Sequence, residues 1–262
     1  MPTLHIDGTS IYFTVKGEGI PIVFIHPPTL TSVNFEYQLE GLSKSFKVIT
    51  FDIRGHGKSS YSRTPITYQL IVEDIKRILD DLDIDKAFVC GYSTGGSIVL
   101  EFLLTSHHRS FGGVILSGMS EVSDPLLKNR ISLGVKIAKA GLVPVLAFGI
   151  SKSNSTNYKF FKKMFTDAKQ GDSRNIEQYY ACSLHYNCTH RLRDINLPTI
   201  LIYGEKDKQF HPYAKLLHDH IPINELEFIE NVDHRIPTKA AAEVNQLISQ
   251  FVNKHHPPKN KS

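Results

Sequence analysis

The fold of this 262-residue chain is decided by one ten-residue stretch, Ala87-Phe88-Val89-Cys90-Gly91-Tyr92-Ser93-Thr94-Gly95-Gly96. The apolar run Ala87–Cys90 predicts a buried strand, and Ser97–Thr105 predicts a helix just after it. A Gly-x-Ser-x-Gly turn between a strand and a helix strains the serine backbone, and it needs small neighbours because the backbones come close. The pattern therefore predicts a reactive Ser93 at a helix N-terminus that favours a developing oxyanion. The alternative is a glycine-rich turn that contains a serine by chance.

Short apolar segments alternate with helical patterns on both sides of this stretch. The predicted strands are Leu4–Ile6, Ile11–Val15, Ile22–Ile25, Phe46–Phe51, Ala87–Cys90, Gly113–Leu116, Thr199–Tyr203 and Glu227–Ile229. The predicted helices are Phe35–Leu42, Ile66–Leu82, Ser97–Thr105 and Ala240–Val252. Because strands that alternate with helices form a mostly parallel sheet covered on both faces, the sequence predicts an α/β fold with an eight-stranded sheet.

One long segment departs from this alternation. Residues 121–193 contain no convincing strand and are rich in lysine, asparagine, tyrosine and phenylalanine. We predict that they form a helical lid inserted into a single core made of residues 1–120 and 194–256. Residues 257–262 are predicted to be a disordered, solvated tail.

Composition argues against several classes of protein. The chain is 41% hydrophobic and 21% charged with a formal net charge of +4, as is typical of a globular protein with a real core. It has neither the basic face nor the reader motif of a nucleic-acid-binding protein. It has no signal-peptide pattern, no apolar stretch long enough to cross a bilayer, and three cysteines that make no disulfide framework. We expect a cytoplasmic protein that binds neither nucleic acid nor membrane.

A serine is a poor nucleophile without a base, and in folds with this turn an acid and then a histidine follow it in the chain. Asp207 follows the seventh predicted strand, and His234 follows the eighth. His234 would take the proton of Ser93, and Asp207 would orient the imidazole and stabilise its cation. Glu205 and Glu121 are weaker candidates for the acid. Asp207 could instead cap the next helix, and His234 could be a loop histidine without a catalytic role.

Together these residues resemble the α/β-hydrolase superfamily over nearly the whole chain. Further motifs that carry the resemblance are Ile25-His26, Phe51-Asp52-Ile53-Arg54-Gly55-His56-Gly57-Lys58-Ser59 and Gly204-x-x-Asp207. Among its branches, the chain resembles the small lidded carboxylesterases, haloperoxidase-like esterases, enol-lactonases and proline iminopeptidases. Ser93 argues against dehalogenases and epoxide hydrolases, which carry aspartate at this position. The resemblance implies an α/β-hydrolase fold, the N–H of Thr94 as first oxyanion donor, and no metal or organic cofactor.

Two positions depart from the family pattern. Asp233 stands before His234 where the family usually has glycine, which alters the loop that holds the histidine. Pro27 and Pro28 follow His26 where the family has His-Gly-x. In the family the backbone N–H of x is the second oxyanion donor, and proline has no N–H.

Three arrangements are compatible with this missing donor. The N–H of Thr29 swings in, helped by a cis Pro27–Pro28 bond; the Thr29 hydroxyl donates instead; or the site has one donor, and the protein is a slow enzyme or a binder. We favour Thr29 as the second donor because the three triad residues are retained in register. Pro28 and Tyr92 are expected to contact the substrate.

The expected function is hydrolysis of a small, mainly apolar ester or related acyl compound through an acyl-enzyme intermediate, as in carboxylesterases. A lactonase, thioesterase, peptidase or C–C-bond hydrolase would use the same residues, as would a slow-turnover ligand receptor or signalling protein. A proline iminopeptidase would need an acidic anchor for a free amine, and Glu177 is the one obvious candidate. The expected partner is a small-molecule acyl substrate, and no protein partner can be named.

Other groups have structural as well as functional interpretations. Residues 52–57 are interpreted as a turn that supports the strained serine. Some apolar residues of the predicted lid line an acyl pocket, or else they form the core of the lid itself. These are the run 142–150 and Tyr158, Phe160, Phe161 and Phe165. A zinc-compatible spacing occurs at Cys182, His185, Cys188 and His190, although we expect no metal.

Overall fold

Eight strands form one sheet in the computed structural model, which describes residues 3–256. The strands are β1 (Thr3–Ile6), β2 (Thr9–Lys16), β3 (Pro21–Ile25), β4 (Lys47–Phe51), β5 (Ala87–Tyr92), β6 (Ser110–Leu116), β7 (Thr199–Gly204) and β8 (Asn224–Ile229). Their order across the sheet is β1-β2-β4-β3-β5-β6-β7-β8. β2 pairs antiparallel with β1 and with β4, and the remaining pairs are parallel. The predicted eight-stranded, mostly parallel sheet is confirmed, and the predicted tail at 257–262 lies outside the described residues.

Ten helices surround this sheet within residues 3–256. They are α1 (Glu36–Leu42), α2 (Tyr68–Asp81), α3 (Thr94–Thr105), α4 (Pro125–Lys139), α5 (Val143–Asn154), α6 (Tyr158–Ala168), α7 (Ser173–His185), α8 (His211–His220), α9 (Ile236–Lys239) and α10 (Ala241–His255). Short 3-10 turns lie at Ser32–Phe35, His107–Arg109 and Thr189–Asp194. The start of α2 illustrates the local cause of these boundaries, because the Thr67 hydroxyl accepts the N–H of Leu70 at 3.1 Å and so caps the helix.

The sheet is buried on both faces, and β3 shows how. Its side chains alternate, so that Ile22 and Phe24 belong to one apolar cluster while Val23 and Ile25 belong to the other. Buried residues of α2, α3 and α8 complete the cluster that contains Val23, and those of α1 and α10 complete the cluster that contains Phe24. A strand covered on both sides is expected to be apolar throughout, which explains the continuous run at 22–25.

Four helices, α4 to α7, lie between β6 and β7 in the chain, where the sequence predicts a lid. We call them the inserted helices. α4 packs along α7, and α5 packs along α6. An isolated antiparallel bridge joins Glu121 to Asn187, close to the two ends of the insertion. No helix within residues 3–256 is long and apolar enough to cross a membrane.

The turn that follows β4 is built from buried polar groups that bond to one another. The Asp52 carboxylate accepts the backbone N–H groups of Ser32 at 2.8 Å and Lys58 at 2.9 Å. Arg54 is 1% exposed and forms a two-bond ion pair with Asp74 of α2, at 2.6 and 2.7 Å. These bonds tie the turn to its neighbours and satisfy the buried charges.

Candidate active site

Ser93 lies in the tight turn between β5 and α3, with a φ of 55° and a ψ of −121°. A positive φ is strained for any residue other than glycine. A Cβ atom on Gly91 would lie 2.1 Å from the carbonyl oxygen of Gly95, and one on Gly95 would lie 2.2 Å from that of Ile25. The Ser93 N–H donates to the carbonyl oxygen of Leu116 at 2.8 Å. The two glycines therefore permit the turn, and this bond to β6 anchors it at the carboxyl edge of the sheet.

The structure brings Ser93, His234 and Asp207 into one hydrogen-bonded chain. The Ser93 Oγ lies 3.0 Å from Nε2 of His234, and Nδ1 of His234 lies 2.7 Å from Oδ2 of Asp207. A carboxylate can only accept, so Nδ1 carries the proton and Nε2 is free to accept one from the serine. The rings of Phe210 and Tyr92 lie 4.1 and 5.3 Å from the imidazole ring, centroid to centroid.

The other candidate acids point elsewhere. The Glu205 carboxylate accepts the backbone N–H of Asn231 at 3.0 Å, and Glu121 bonds to the side-chain amide of Asn187. Asp207 does not cap the next helix, because the residue at the N-cap of α8 is Phe210, which makes no side-chain cap bond. Of the three carboxylates weighed from the sequence, Asp207 is thus the one that bonds His234.

Asp233, which replaces the usual glycine, forms an ion pair of its own. Arg235 forms an ion pair with the Asp233 carboxylate, and its Nε donates to Oδ1 at 2.8 Å. The hydrogen bonds from Arg235 lower the pKa of Asp233 to about 2. Arg235 also donates to the carbonyl oxygen of Ser153 in α5 at 3.0 Å. The departure from the family pattern therefore links the histidine loop to the inserted helices.

The Pro27–Pro28 turn is held by two consecutive tyrosines of α7. The Tyr179 hydroxyl donates to the carbonyl oxygen of His26 at 2.8 Å, and the Tyr180 hydroxyl lies 3.0 Å from Oγ1 of Thr29. Thr29 is buried and has a φ of 68°. No peptide bond within residues 3–256 is cis, so the suggested cis Pro27–Pro28 bond is wrong. The structure instead accommodates the two prolines with a left-handed backbone at Thr29.

His26, which precedes these prolines, is locked in its neutral form. Its Nε2 accepts the backbone N–H of Ile53 at 2.9 Å, so its Nδ1 carries the proton and donates to the carbonyl oxygen of Pro27 at 2.9 Å. Burial and the neighbouring His56 lower the pKa of His26 to about 3. Burial likewise lowers the pKa of His56 to about 4. Both imidazoles therefore serve as uncharged supports of the turn at neutral pH.

A mainly apolar cavity of about 180 Å³ opens above Ser93. Pro28, Tyr92, Thr94 and His234 line it, and the inserted helices form the opposite wall. The lining residues from these helices are Leu127, Ile131, Ile150, Asn154 and Tyr180. Thr29 does not line it, although its neighbours Pro28 and Leu30 do. A larger cavity of about 810 Å³ lies at the opposite end of the sheet and contains none of the candidate catalytic residues.

Most of the apolar lid residues weighed as pocket residues lie elsewhere. Of the run 142–150 only Ile150 lines the cavity. Phe160 is buried in the core, while the Phe161 and Phe165 rings stack on each other with centroids 5.8 Å apart. Tyr158 is 77% exposed. The apolar character of these residues therefore did not show which of them meet Ser93, and several of them, such as Val145 and Phe148, are exposed.

The sequence interpretation missed Tyr179 and Tyr180, which support the turn and the cavity. Ile176, Tyr180 and Ser183 recur at helical spacing on α7, which indicates a buried face but names no partner. The zinc-compatible residues do not converge, since no cluster of three or more potential ligands occurs within residues 3–256. Cys188 is buried, and burial raises the pKa of its thiol to about 11.

Comparison with known proteins finds relatives that are similar to this chain in sequence and in structure. The family described as the alpha/beta hydrolase fold matches residues 20–135. The AB hydrolase superfamily protein YisY of Bacillus subtilis is 25% identical over 252 residues, covering 90% of this chain and 93% of the relative. The non-heme chloroperoxidase of Streptomyces lividans is 28% identical over 79% of this chain and 82% of its own. The solved structure of Est816, described as an N-acyl homoserine lactone degrading enzyme, is 26% identical with a TM-score of 0.78, covering 96% of this chain and all of that one.

The chain therefore has the α/β-hydrolase fold, and its sequence is similar to that of members of this superfamily.

Proposed function

We propose that the protein hydrolyses small, mainly apolar esters or related acyl compounds through an acyl-enzyme intermediate. The observation that carries this proposal is the Ser93–His234–Asp207 chain, with its contacts of 3.0 and 2.7 Å. In this mechanism Ser93 Oγ bonds to the substrate carbonyl carbon while His234 Nε2 takes its proton. The imidazolium then gives that proton to the leaving alcohol. A water molecule, deprotonated by His234, releases the acid and regenerates Ser93.

The oxyanion of each tetrahedral intermediate needs hydrogen-bond donors. Thr94 is the first residue of α3, so its N–H lies at the positive end of the helix dipole, and Thr94 is among the residues that line the cavity beside Ser93. Thr29 is proposed as the residue that contributes the second interaction. Thr29 does not itself line the cavity, but its hydroxyl is bonded to that of Tyr180, which does.

The cavity supports a small acyl group. Its volume of about 180 Å³ lies below the roughly 300 to 1,000 Å³ of pockets for drug-sized ligands. Its walls are largely apolar, and Pro28 and Tyr92 are proposed to contact the acyl chain. Glu177, the possible anchor for a peptide amine, does not line the cavity, which disfavours an iminopeptidase.

A lactonase is the second candidate, favoured by the likeness to a lactone-degrading enzyme over nearly the whole chain. A lactone is a cyclic ester, so the same attack by Ser93 opens it and leaves the alcohol on the acyl-enzyme. Rates on matched open-chain and cyclic esters with the same number of carbons would separate the two candidates.

Covalent labelling tests the proposal without a guess about the substrate. A fluorophosphonate probe reacts with an activated serine, and intact-mass analysis should show one adduct per wild-type chain and none on Ser93→Ala. Ser132→Ala, a change on α4 away from the cavity lining, is the matched control and should label normally. Folded wild-type protein that stays unlabelled would contradict the hydrolase mechanism and favour a ligand receptor.

If labelling succeeds, an ester panel should follow. p-Nitrophenyl esters of two to twelve acyl carbons would be compared by kcat/KM. We expect the maximum at short acyl chains because the cavity is small. A maximum at the longest chain would contradict the proposed substrate size.

A further inference from the structure

The second oxyanion donor cannot be the residue that the fold would ordinarily use. Pro27 and Pro28 occupy the turn after β3, and neither has a backbone N–H. Both peptide bonds are trans, and Thr29, which follows, is not among the residues that line the cavity. A donor from outside this turn would have to replace the missing N–H.

The Tyr180 hydroxyl lies beside this turn. It is 3.0 Å from Oγ1 of Thr29, the residue directly after Pro28. Tyr180 also lines the cavity together with Pro28, Ser93 and Thr94, although it belongs to α7 of the inserted helices. The inserted helices thus bring a hydroxyl group to the segment that lacks a donor.

The position of the Tyr180 ring is fixed by close packing. A Cβ atom on Gly134 of α4 would lie 2.9 Å from Cε1 and 3.0 Å from Cζ of Tyr180, so the ring lies directly on the α4 backbone. The side chain is 9% exposed. A donor held in this way costs little reorganisation when charge develops on a substrate, which is what makes an oxyanion site effective.

The Thr29 and Tyr180 hydroxyl groups can each act as donor or as acceptor in the hydrogen bond between them. Thr29 and Tyr180 each have one proton to donate, and either can donate in their shared hydrogen bond. When Thr29 donates to the Tyr180 oxygen, the Tyr180 proton is free to point into the cavity. Burial raises the pKa of Tyr180 to about 12, although the bond to Thr29 opposes the rise, so the phenol keeps its proton at neutral pH.

We propose that the Tyr180 hydroxyl is the second oxyanion donor, opposite the N–H of Thr94, and that Thr29 is the positioning residue that directs it. This assignment rests on the proposed acyl hydrolysis. As Ser93 Oγ bonds to the carbonyl carbon, the π electron pair moves to the carbonyl oxygen, and Tyr180 donates a hydrogen bond to that oxygen without losing its proton. Proton transfer stays with His234. Thr29 therefore contributes through Tyr180 rather than by direct contact.

The primary test is Tyr180→Phe, which removes one hydroxyl and keeps the ring. Loss of one oxyanion donor lowers turnover by about 100- to 1,000-fold in a known hydrolase, and we expect a fall of about 100-fold in kcat with KM within about threefold. Affinity for a phenylboronic acid, which forms a tetrahedral adduct on the serine, should fall in parallel, while affinity for the product carboxylate should not.

Tyr179→Phe is the matched control. It removes the neighbouring hydroxyl, which bonds to the same turn through the carbonyl oxygen of His26. If Tyr180 merely held the turn, the two variants would lose similar activity. We expect Tyr179→Phe to lose less than about tenfold, and equal losses would overturn the assignment.

Two further variants test the positioning role and the missing donor. Thr29→Val should lower kcat as Tyr180→Phe does, and Thr29→Ser should retain it because it keeps the hydroxyl. Pro28→Gly restores a backbone N–H, so it should raise kcat in the Tyr180→Phe background by more than in the wild type. Should Tyr180→Phe fail to fold, the Thr29 pair decides: equal kcat for Thr29→Val and Thr29→Ser would overturn the assignment.

The results separate this assignment from the proposed function. A wild type that hydrolyses esters, with Tyr180→Phe retaining its kcat, overturns the assignment alone. A folded wild type inert to the fluorophosphonate and to all esters overturns both.

Discussion

Mild acid should destabilise this protein through two buried histidines, and His56→Asn should remove about half of that effect. The His56 Nδ1 donates to the carbonyl oxygen of Arg54 at 3.0 Å, while its Nε2 is buried without a partner in the described residues. A proton added at Nε2 would therefore be a buried charge with no acceptor. At His26 an added proton would face the N–H of Ile53, which is also a donor.

The sign follows from the two pKa values. Burial lowers the pKa of His56 to about 4 and, with His56 as neighbour, that of His26 to about 3, both below the unfolded value of 6.5. As the pH falls through 6.5 the unfolded chain binds protons that the folded chain does not, so stability falls with decreasing pH. At about 1.4 kcal/mol per pH unit, each histidine costs about 2 to 3 kcal/mol between about pH 7.5 and about pH 4.5. The pair together costs roughly 5 kcal/mol over that range.

Urea unfolding followed by circular dichroism at both pH values measures this loss. His56→Asn keeps a donor near the Nδ1 position but cannot titrate, so its free energy of unfolding should fall by about 2 to 3 kcal/mol less than that of the wild type. His108→Asn, which removes an exposed histidine, is the control and should behave like the wild type. Comparing differences is necessary because burial raises the pKa of the Asp52 and Asp74 carboxyls, which makes their contribution to stability fall as the pH rises. Parallel pH dependences for His56→Asn and wild type would refute the reasoning.

Three further substitutions test the site and its support. Asp207→Asn should lower kcat on an ester by about 10,000-fold, because the amide no longer favours the tautomer in which Nε2 can accept the Ser93 proton; a loss below tenfold would exclude Asp207 as the acid. Asp74→Ala should leave Arg54 as a buried, unpaired charge, so the free energy of unfolding measured by urea titration should fall by about 3 to 5 kcal/mol. The double variant with Arg54→Met and Asp74→Leu should recover most of that loss. An Asp74→Ala variant as stable as the wild type would contradict this role of the ion pair. Gly91→Ala should abolish fluorophosphonate labelling because its Cβ would lie 2.1 Å from a carbonyl oxygen of α3, and normal labelling would show that the close approach can relax.

The positions of the three candidate catalytic residues could be predicted because local rules govern them. Ser93, Asp207 and His234 each follow a strand of a parallel sheet, and parallel strands bring their carboxyl ends to one edge. The glycines around Ser93 signal a close backbone approach within a few residues of chain. Strand periodicity and the order of these residues along the chain therefore suffice to bring them together, as the 2.7 and 3.0 Å contacts show.

The surroundings of these residues could not be predicted in the same way. The Asp233–Arg235 pair explains a departure that the sequence left without a physical account, because the pairing depends on side-chain directions in a loop. The sequence also raised a cis bond before Pro28, whereas no peptide bond within residues 3–256 is cis and Thr29 has a positive φ. Local geometry of this kind depends on neighbours that are distant in the chain.

By itself, then, the sequence determined the sheet, the strained serine turn and the absence of a donor at Pro28, since each follows from a few adjacent residues. Only the tertiary structure decided which side chain lies beside the segment that lacks this donor. Tyr180 reaches Thr29 across 151 residues of chain, and this contact depends on how the inserted helices pack on the sheet. Helical periodicity marks which face of α7 is buried, but the partner of that face is set by shape and packing between distant segments, which no local pattern encodes.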